Sequence, residues 1–256
     1  MYYNKEEYSI YYEKYGDKEK VILILPGWGD TRKTFYHIIN YFKEDYTIYI
    51  IDYPGFGNSI FPNKNLTIYD YTNIIRNFIN DNNIVNPIII AHSFGGRIAT
   101  LLTGYYKEQI DQLIMIDTAG IKHKKTIFRY IKEKTYKLLK KLKVFIPKNK
   151  RQKYLDKLGN LFGSKDYKHL NNCMKTTFRN IVNEDLKYYL KDIKSETLLI
   201  WGKLDKDTPL KDGRIMNRLI KDSALIVFPQ GNHFTYIQYP LLINNIIKEF
   251  IKEKDM

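Results

Sequence analysis

A chain of 256 residues, 44% of them apolar, has room for one large α/β domain, alone or carrying an insertion. Its single cysteine, Cys173, excludes an internal disulfide and a multi-cysteine metal site and fits a reducing, cytoplasmic setting; the opening residues Met1 to Tyr15 lack the apolar stretch of a secretory signal, and no apolar run approaches the ~20 residues of a membrane span. The net charge of +14 is unevenly placed: residues 121–195 hold 22 Lys and Arg against 6 Asp and Glu, a net +16, and the remainder is at −2.

In chain order, Tyr8 to Tyr15 reads as an opening strand or hairpin arm stopped by Gly16-Asp17. Val21 to Leu25 reads as a buried strand ending at Pro26-Gly27-Trp28-Gly29, with Asp30 or Thr31 set to cap a helix from Thr34 to Phe42. Tyr46 to Asp52 is a further strand, running into the glycine-rich turn Tyr53 to Ser59. Leu66 to Ile79 has helical spacing with Thr67 as a cap. A run of isoleucines from Pro87 then leads through Ala91-His92-Ser93-Phe94-Gly95-Gly96 into the apolar helix start Ile98 to Leu102. A strand that becomes a helix within one residue strains that residue and tolerates only small neighbours. Ser93, with Ala91 two before and Gly95 two after, fits a nucleophile elbow in which alanine replaces the first glycine.

Gln112 to Ile116 is the next strand, ending at Asp117-Thr118-Ala119-Gly120. Residues 121–195 then break the alternation. They read as helical, with one apolar stripe at Ile127, Ile131, Leu138, Leu142 and Phe145, a second at Leu155, Leu158 and Leu161, and a third at Leu186 and Leu190. This segment is expected to form a helical cap over the sheet edge, between core halves 1–120 and 196–256. The first stripe should pack on the body while its lysines face water. After it come the strand Thr197 to Trp201, a helix from Pro209 to Ile220, the strand Ala224 to Phe228 and a helix from Leu241 to Ile251. Strands alternating with helices at this spacing imply a mostly parallel sheet covered on both faces.

An elbow serine needs a base and an acid to orient it, arriving in the order Ser, Asp, His at later strand ends. The loop after Trp201 offers Asp205, and the loop after Phe228 offers His233. Ser93, Asp205 and His233 are therefore the candidate catalytic residues. Asp117 is the reserve acid, and Asp207 better suits a cap before Pro209. His37 and His92 belong to the helix and strand patterns, and His123 and His169 to the inserted segment. Oxyanion donors should come from the backbone N–H of Phe94 and from the loop after Leu25, where Trp28 N–H is the best candidate.

The segments Leu25 to Gly29, Asp52 to Ser59, Ala91 to Gly96, Trp201 to Asp205 and Gly231 to Phe234 resemble the successive motifs of the α/β-hydrolase family, from about Val21 to the end of the chain apart from the inserted segment. The resemblance implies a carboxylesterase-like serine hydrolase with an acyl-enzyme intermediate. Pro26 stands where many members carry histidine, a change the backbone donor role survives. The serine disfavours the aspartate-nucleophile branches. Arg97 resembles an arginine of the menaquinone-pathway synthase of this fold and is a candidate substrate contact, with a local salt bridge as its plainer role.

The expected substrate is a small ester or thioester, with anionic ones favoured by the basic segment. Carbon–carbon hydrolysis or a lyase step is the alternative reaction, and a silent binding scaffold with a basic cap the alternative class. No cofactor, metal or nucleic acid is expected. Peripheral contact between the basic helices and an anionic membrane is a less favoured reading.

Overall fold

Runs of five apolar, largely β-branched residues decide the centre of this molecule, because such runs suit strands buried on both faces. The computed structural model describes residues 1–122, 127–162 and 172–252, with residues 127–133, 160, 162 and 172 described by backbone alone. Eight strands form one sheet: β1 Tyr2–Lys5, β2 Tyr8–Tyr15, β3 Val21–Leu25, β4 Thr47–Ile51, β5 Ile88–His92, β6 Gln112–Ile116, β7 Glu196–Gly202 and β8 Ser223–Phe228. Their order is β1-β2-β4-β3-β5-β6-β7-β8. β2 pairs antiparallel with β1 and β4, and every later pairing is parallel. The opening arm is thus a hairpin. Its first strand escapes a sequence reading because Tyr2–Lys5 is an exposed edge with no apolar alternation.

Alternation along the strands sorts the core into two layers. Leu23, Leu25, Ile89, Ala91, Leu113, Met115, Leu199 and Trp201 face one side, where α2 (Ile68–Asp81), α3 (Phe94–Thr100) and α7 (Leu210–Leu219) cover them. Ile22, Ile24, Ile88, Ile90, Ile114, Ile116, Leu198 and Ile200 face the other, beneath α1 (Tyr36–Phe42) and α8 (Pro240–Lys252). Helix α2 starts where expected, on a reciprocal capping box between Thr67 and Asp70. Helix α1 does not start at an Asp30 or Thr31 cap. A 3₁₀ turn, Arg32–Phe35, precedes it, Thr31 makes no side-chain cap, and Asp30 is engaged with His92.

Between β6 and β7 lie α4 (Ile127–Lys141), α5 (Lys148–Phe162) and α6 (Asn172–Asn183). The expected stripes fare differently. Leu186 and Leu190 are buried in the core, and Leu158 is the one buried residue among the described side chains from 134 to 159. The described part of the first stripe does not pack on the body: Leu138, Leu142 and Phe145 are 63%, 42% and 85% exposed. Helices α4 and α5 meet each other instead, with the Tyr154 hydroxyl donating to the Leu139 carbonyl at 2.7 Å. The side chains of Ile127 and Ile131, and His123 and His169, lie outside the described residues. Helix α6 does reach the body. Met174 is buried against Gly55, and the Thr177 hydroxyl accepts from the Leu66 N–H at 2.9 Å. No described helix is long and apolar enough to cross a membrane.

Candidate active site

The chain passes from β3 to β4 on one side and then crosses to β5 on the other, so the crevice at the carboxyl ends of β3 and β5 is the topological switch where open α/β sheets bind ligands. Ser93 stands there, with φ 46° and ψ −111° directly before α3. A non-glycine residue at positive φ is strained and persists only where its surroundings over-determine it. Here the two glycines that follow do so. A Cβ on Gly95 would lie 2.0 Å from the Leu25 carbonyl oxygen, and one on Gly96 would lie 2.3 Å from Thr118 Cβ. Glycine at both positions lets α3 start hard against β3 and the loop after β6, which holds the turn in place.

The later strand ends bring two more candidates to Ser93. His233 Nε2 is 3.0 Å from Ser93 Oγ, and His233 Nδ1 is 2.8 Å from Asp205 Oδ2. Asp205 is fixed in turn: its Oδ1 accepts from the N–H groups of Asp207 and Thr208, and the Thr208 hydroxyl sits 2.6 Å from Oδ2. Burial would raise the Asp205 pKa, but the His233 hydrogen bond and charge and the Thr208 donors outweigh it and hold the carboxyl below its usual range. Burial likewise opposes a charged His233. The bond and charge of Asp205, with Asp117 and Asp207 behind, outweigh that and raise its pKa. Asp205, Asp207 and His233 are also the one described cluster with metal-ligand spacing, but the facing atoms of Asp205 and His233 are bonded to each other.

Asp117, the reserve acid, has another task. Fully buried at φ 46°, its carboxylate accepts from Gly202 N–H at 2.7 Å and Thr235 N–H at 3.1 Å, joining the loops that carry Asp205 and His233. Those loops touch closely, since a Cβ on Gly202 would meet the Asn232 carbonyl oxygen at 2.4 Å.

Arg97, the candidate substrate contact, takes part in a local contact within the fold. It is 6% exposed, its Nη1 donates to the Glu184 carbonyl at 3.0 Å, and burial brings its pKa down to about 10 despite Asp185, Glu184 and Asp212 nearby. With the Leu186 N–H bonded to Gly120 O, it fastens the end of the inserted segment to the body.

His92 is the residue that sequence reasoning assigned to strand alone. It is 1% exposed, with Nδ1 2.8 Å from Asp30 Oδ2 and Nε2 2.8 Å from the His233 carbonyl oxygen. Both ring nitrogens are thus engaged, one with the Asp30 carboxylate and one with the backbone of the loop that carries His233. The available signal was position, since a polar residue directly before an elbow serine sits at the strand end. His37 lies on α1 stacked against Tyr236, whose ring also meets His92 at 4.8 Å.

Around the serine, Trp28 meets Phe94 edge-on at 5.3 Å and Phe56 at 4.7 Å, and Phe178 of α6 covers it at 5.2 Å. Among the described residues, neither the Trp28 nor the Phe94 backbone N–H has a hydrogen-bond partner.

A strained serine at a sheet switch point, joined to a histidine and an aspartate from later strand ends, matches a known pattern, and the family model for the α/β-hydrolase fold matches residues 20–240. The chain belongs to the α/β-hydrolase fold family. A pimeloyl-[acyl-carrier protein] methyl ester esterase of Wigglesworthia glossinidia brevipalpis is 28% identical over 253 residues, covering 91% of this chain and 93% of that one. A 2-hydroxy-6-oxononadienedioate/2-hydroxy-6-oxononatrienedioate hydrolase of Escherichia coli O81 (strain ED1a) is 21% identical over 265 residues, covering 94% and 90%. The crystal structure of the enol-lactonase from Burkholderia xenovorans LB400 superposes with a TM-score of 0.75 at 15% identity, over 98% of this chain and 100% of that one. As an α/β hydrolase, the chain has curated relatives named as esterases and as hydrolases of other substrates.

Proposed function

We propose that this α/β hydrolase cleaves a carboxylic ester or thioester of a small molecule through an acyl-enzyme on Ser93. One observation carries the reading: the unbroken hydrogen-bonded chain from Asp205 through His233 to a serine in strained elbow geometry. His233 Nε2 takes the Ser93 proton as Oγ attacks the carbonyl carbon, and Asp205 accepts from Nδ1–H and stabilises the imidazolium. The oxyanion is met by the N–H groups of Trp28 and Phe94, a reading supported by the close approach that Gly95 allows between the start of α3 and the Leu25 and Pro26 carbonyls. His233 then gives its proton to the leaving oxygen or sulfur. It next deprotonates a water that releases the acid and regenerates Ser93.

Residues 121–195 act in this reading as the cap, with α6 closing the site over Trp28. The relative named as a methyl ester esterase makes methyl esters the first class to assay. The buried Arg97 speaks against the lyase alternative, which would need its charge at the substrate.

A fluorophosphonate probe should label the wild-type chain at Ser93 and leave Ser93→Ala unlabelled. Short uncharged p-nitrophenyl esters should turn over with kcat above about 0.1 s⁻¹, and Ser93→Ala should lose about 10⁴- to 10⁶-fold. Retained turnover in pure Ser93→Ala would sink the mechanism. Normal labelling with negligible ester turnover would select carbon–carbon hydrolysis on the same serine.

A further inference from the structure

The turn joining α4 to α5 places apolar side chains where water should forbid them. Val144 and Phe145 are 67% and 85% exposed, and Leu138 and Leu142, four residues apart, extend the same apolar run back along the helix. This is not a frayed end. Arg151 closes the turn from inside, its Nε donating to the Ile146 carbonyl at 2.8 Å and its Nη2 to the Val144 carbonyl at 3.2 Å, while the Lys150 N–H donates to Pro147 O at 2.9 Å. The hairpin is thus built to hold two large apolar side chains outward. A contiguous exposed apolar surface on an ordered element marks a contact site.

Charge says what the contact is. Between residues 137 and 155 the chain carries eight Lys and Arg and no Asp or Glu. Lys140, Lys141, Lys143 and Lys148 bracket the tip in sequence, are all exposed, and make no ion pair among the described residues. A protein partner's pocket would ask for acidic groups placed against individual lysines. The surface here is instead a protruding tip with unpaired lysines on both sides, which suits an interface that is apolar inside and diffusely anionic at its surface. Apolar residues that enter an acyl boundary while lysines remain among headgroups are the pattern of peripheral membrane association.

We infer that the α4–α5 hairpin docks the protein on anionic lipid bilayers, with Val144 and Phe145 inserted and the flanking lysines against headgroups. Docking of this kind is independent of which bond the site cleaves. Because the inserted segment also supplies α6, it would hold the site mouth close to the lipid surface.

Full-length protein is to be sedimented with vesicles of phosphatidylcholine alone and with about 30% phosphatidylglycerol, at about 0.05 M and 0.5 M salt. Two variants are compared, Val144→Asp/Phe145→Asp and Lys140→Glu/Lys141→Glu/Lys143→Glu, each checked for folding by thermal unfolding and for an open site by fluorophosphonate labelling. Wild type is expected on the anionic vesicles only, with partial release at high salt. The lysine variant should lose about tenfold or more in partitioning, and the tip variant should remain in solution at high salt, where apolar insertion is the residual anchor.

Equal sedimentation of the tip variant and wild type at both salts would overturn insertion. No binding of wild type to anionic vesicles would overturn docking altogether. If the same substitutions then abolish binding to a purified acidic acyl carrier protein, the surface belongs to a protein partner instead.

Discussion

The end of β5 and the turn between α4 and α5 both depart from ordinary placement, in opposite senses. At Ser93 the backbone is forced to positive φ inside a wall of buried neighbours. At Val144 and Phe145 the backbone is relaxed into a closed turn and the side chains are misplaced in water. The first cost is carried by packing within the chain, since α3, β3 and the loop after β6 leave Ser93 no alternative. The second is offset by nothing the described residues supply. A local penalty compensated inside the fold points to chemistry, and one left uncompensated points to a partner.

The largest expected break of this contrast lies on the buried side. Asp205→Asn should lower kcat by about 10⁴, because the amide no longer orients the imidazole, with a comparatively modest drop in the thermal midpoint from the weakened bonds to Asp207 and Thr208. Asp117→Asn should do the reverse. It weakens two backbone bonds and destabilises the fold by about 1–3 kcal/mol, while kcat of the folded fraction changes far less. Steady-state kinetics and urea unfolding on the two variants decide between them. A large kcat loss in Asp117→Asn with a mild one in Asp205→Asn would move the acid to the other strand.

A smaller effect separates the two regions by stability alone. Leu23→Ala empties a fully buried position in the sheet and should cost about 2–5 kcal/mol. Leu138→Ala, on the exposed hairpin, should stay within about 0.5 kcal/mol. Equal costs in urea unfolding would show that the hairpin is packed against the body after all.

The finest test is pH. His233 must be neutral to act as base, and its pKa is raised, so the acid limb of kcat/KM should lie above the ordinary value of about 6.5. The sign for stability is opposite. The contribution of His233 is complete below about 6.5 and fades as pH rises through the raised folded value. That of Asp205 is complete above about 3.9 and is lost as pH falls through its depressed value. Rate and thermal midpoint should therefore move in opposite directions across neutrality in wild type, and the acid limb should fall in Asp205→Asn. An acid limb at or below that of free histidine would remove the relay's electrostatic coupling.

Strand positions, the α2 cap and the convergence of Ser93, Asp205 and His233 were legible because each rests on short-range rules: apolar run length, capping spacing and placement at strand ends. What escaped depends on where side chains point after folding. His92 looked like a strand residue because alternation identifies a face and not a hydrogen-bond partner. Thr208 carried no signal in the sequence, although its hydroxyl and N–H both address Asp205. Arg97 could be read either as a substrate contact or as a local structural residue, and the partner it meets, a carbonyl eighty-seven residues away, has no signal in the local sequence. The first stripe of the inserted segment misled for the same reason, because periodicity shows that a face is apolar without naming what covers it.

The bond from His92 to the His233 carbonyl joins the residue next to the nucleophile to the backbone of its base. Ser93 and His92 are consecutive, so the tip of one strand acts as a common datum for both partners. Any breathing of the sheet that displaces β5 along its axis carries the hydroxyl and, through the imidazole, the opposing loop in step. The 3.0 Å separation of hydroxyl and imidazole is thus referred to one origin, the end of β5, rather than to two independent loops.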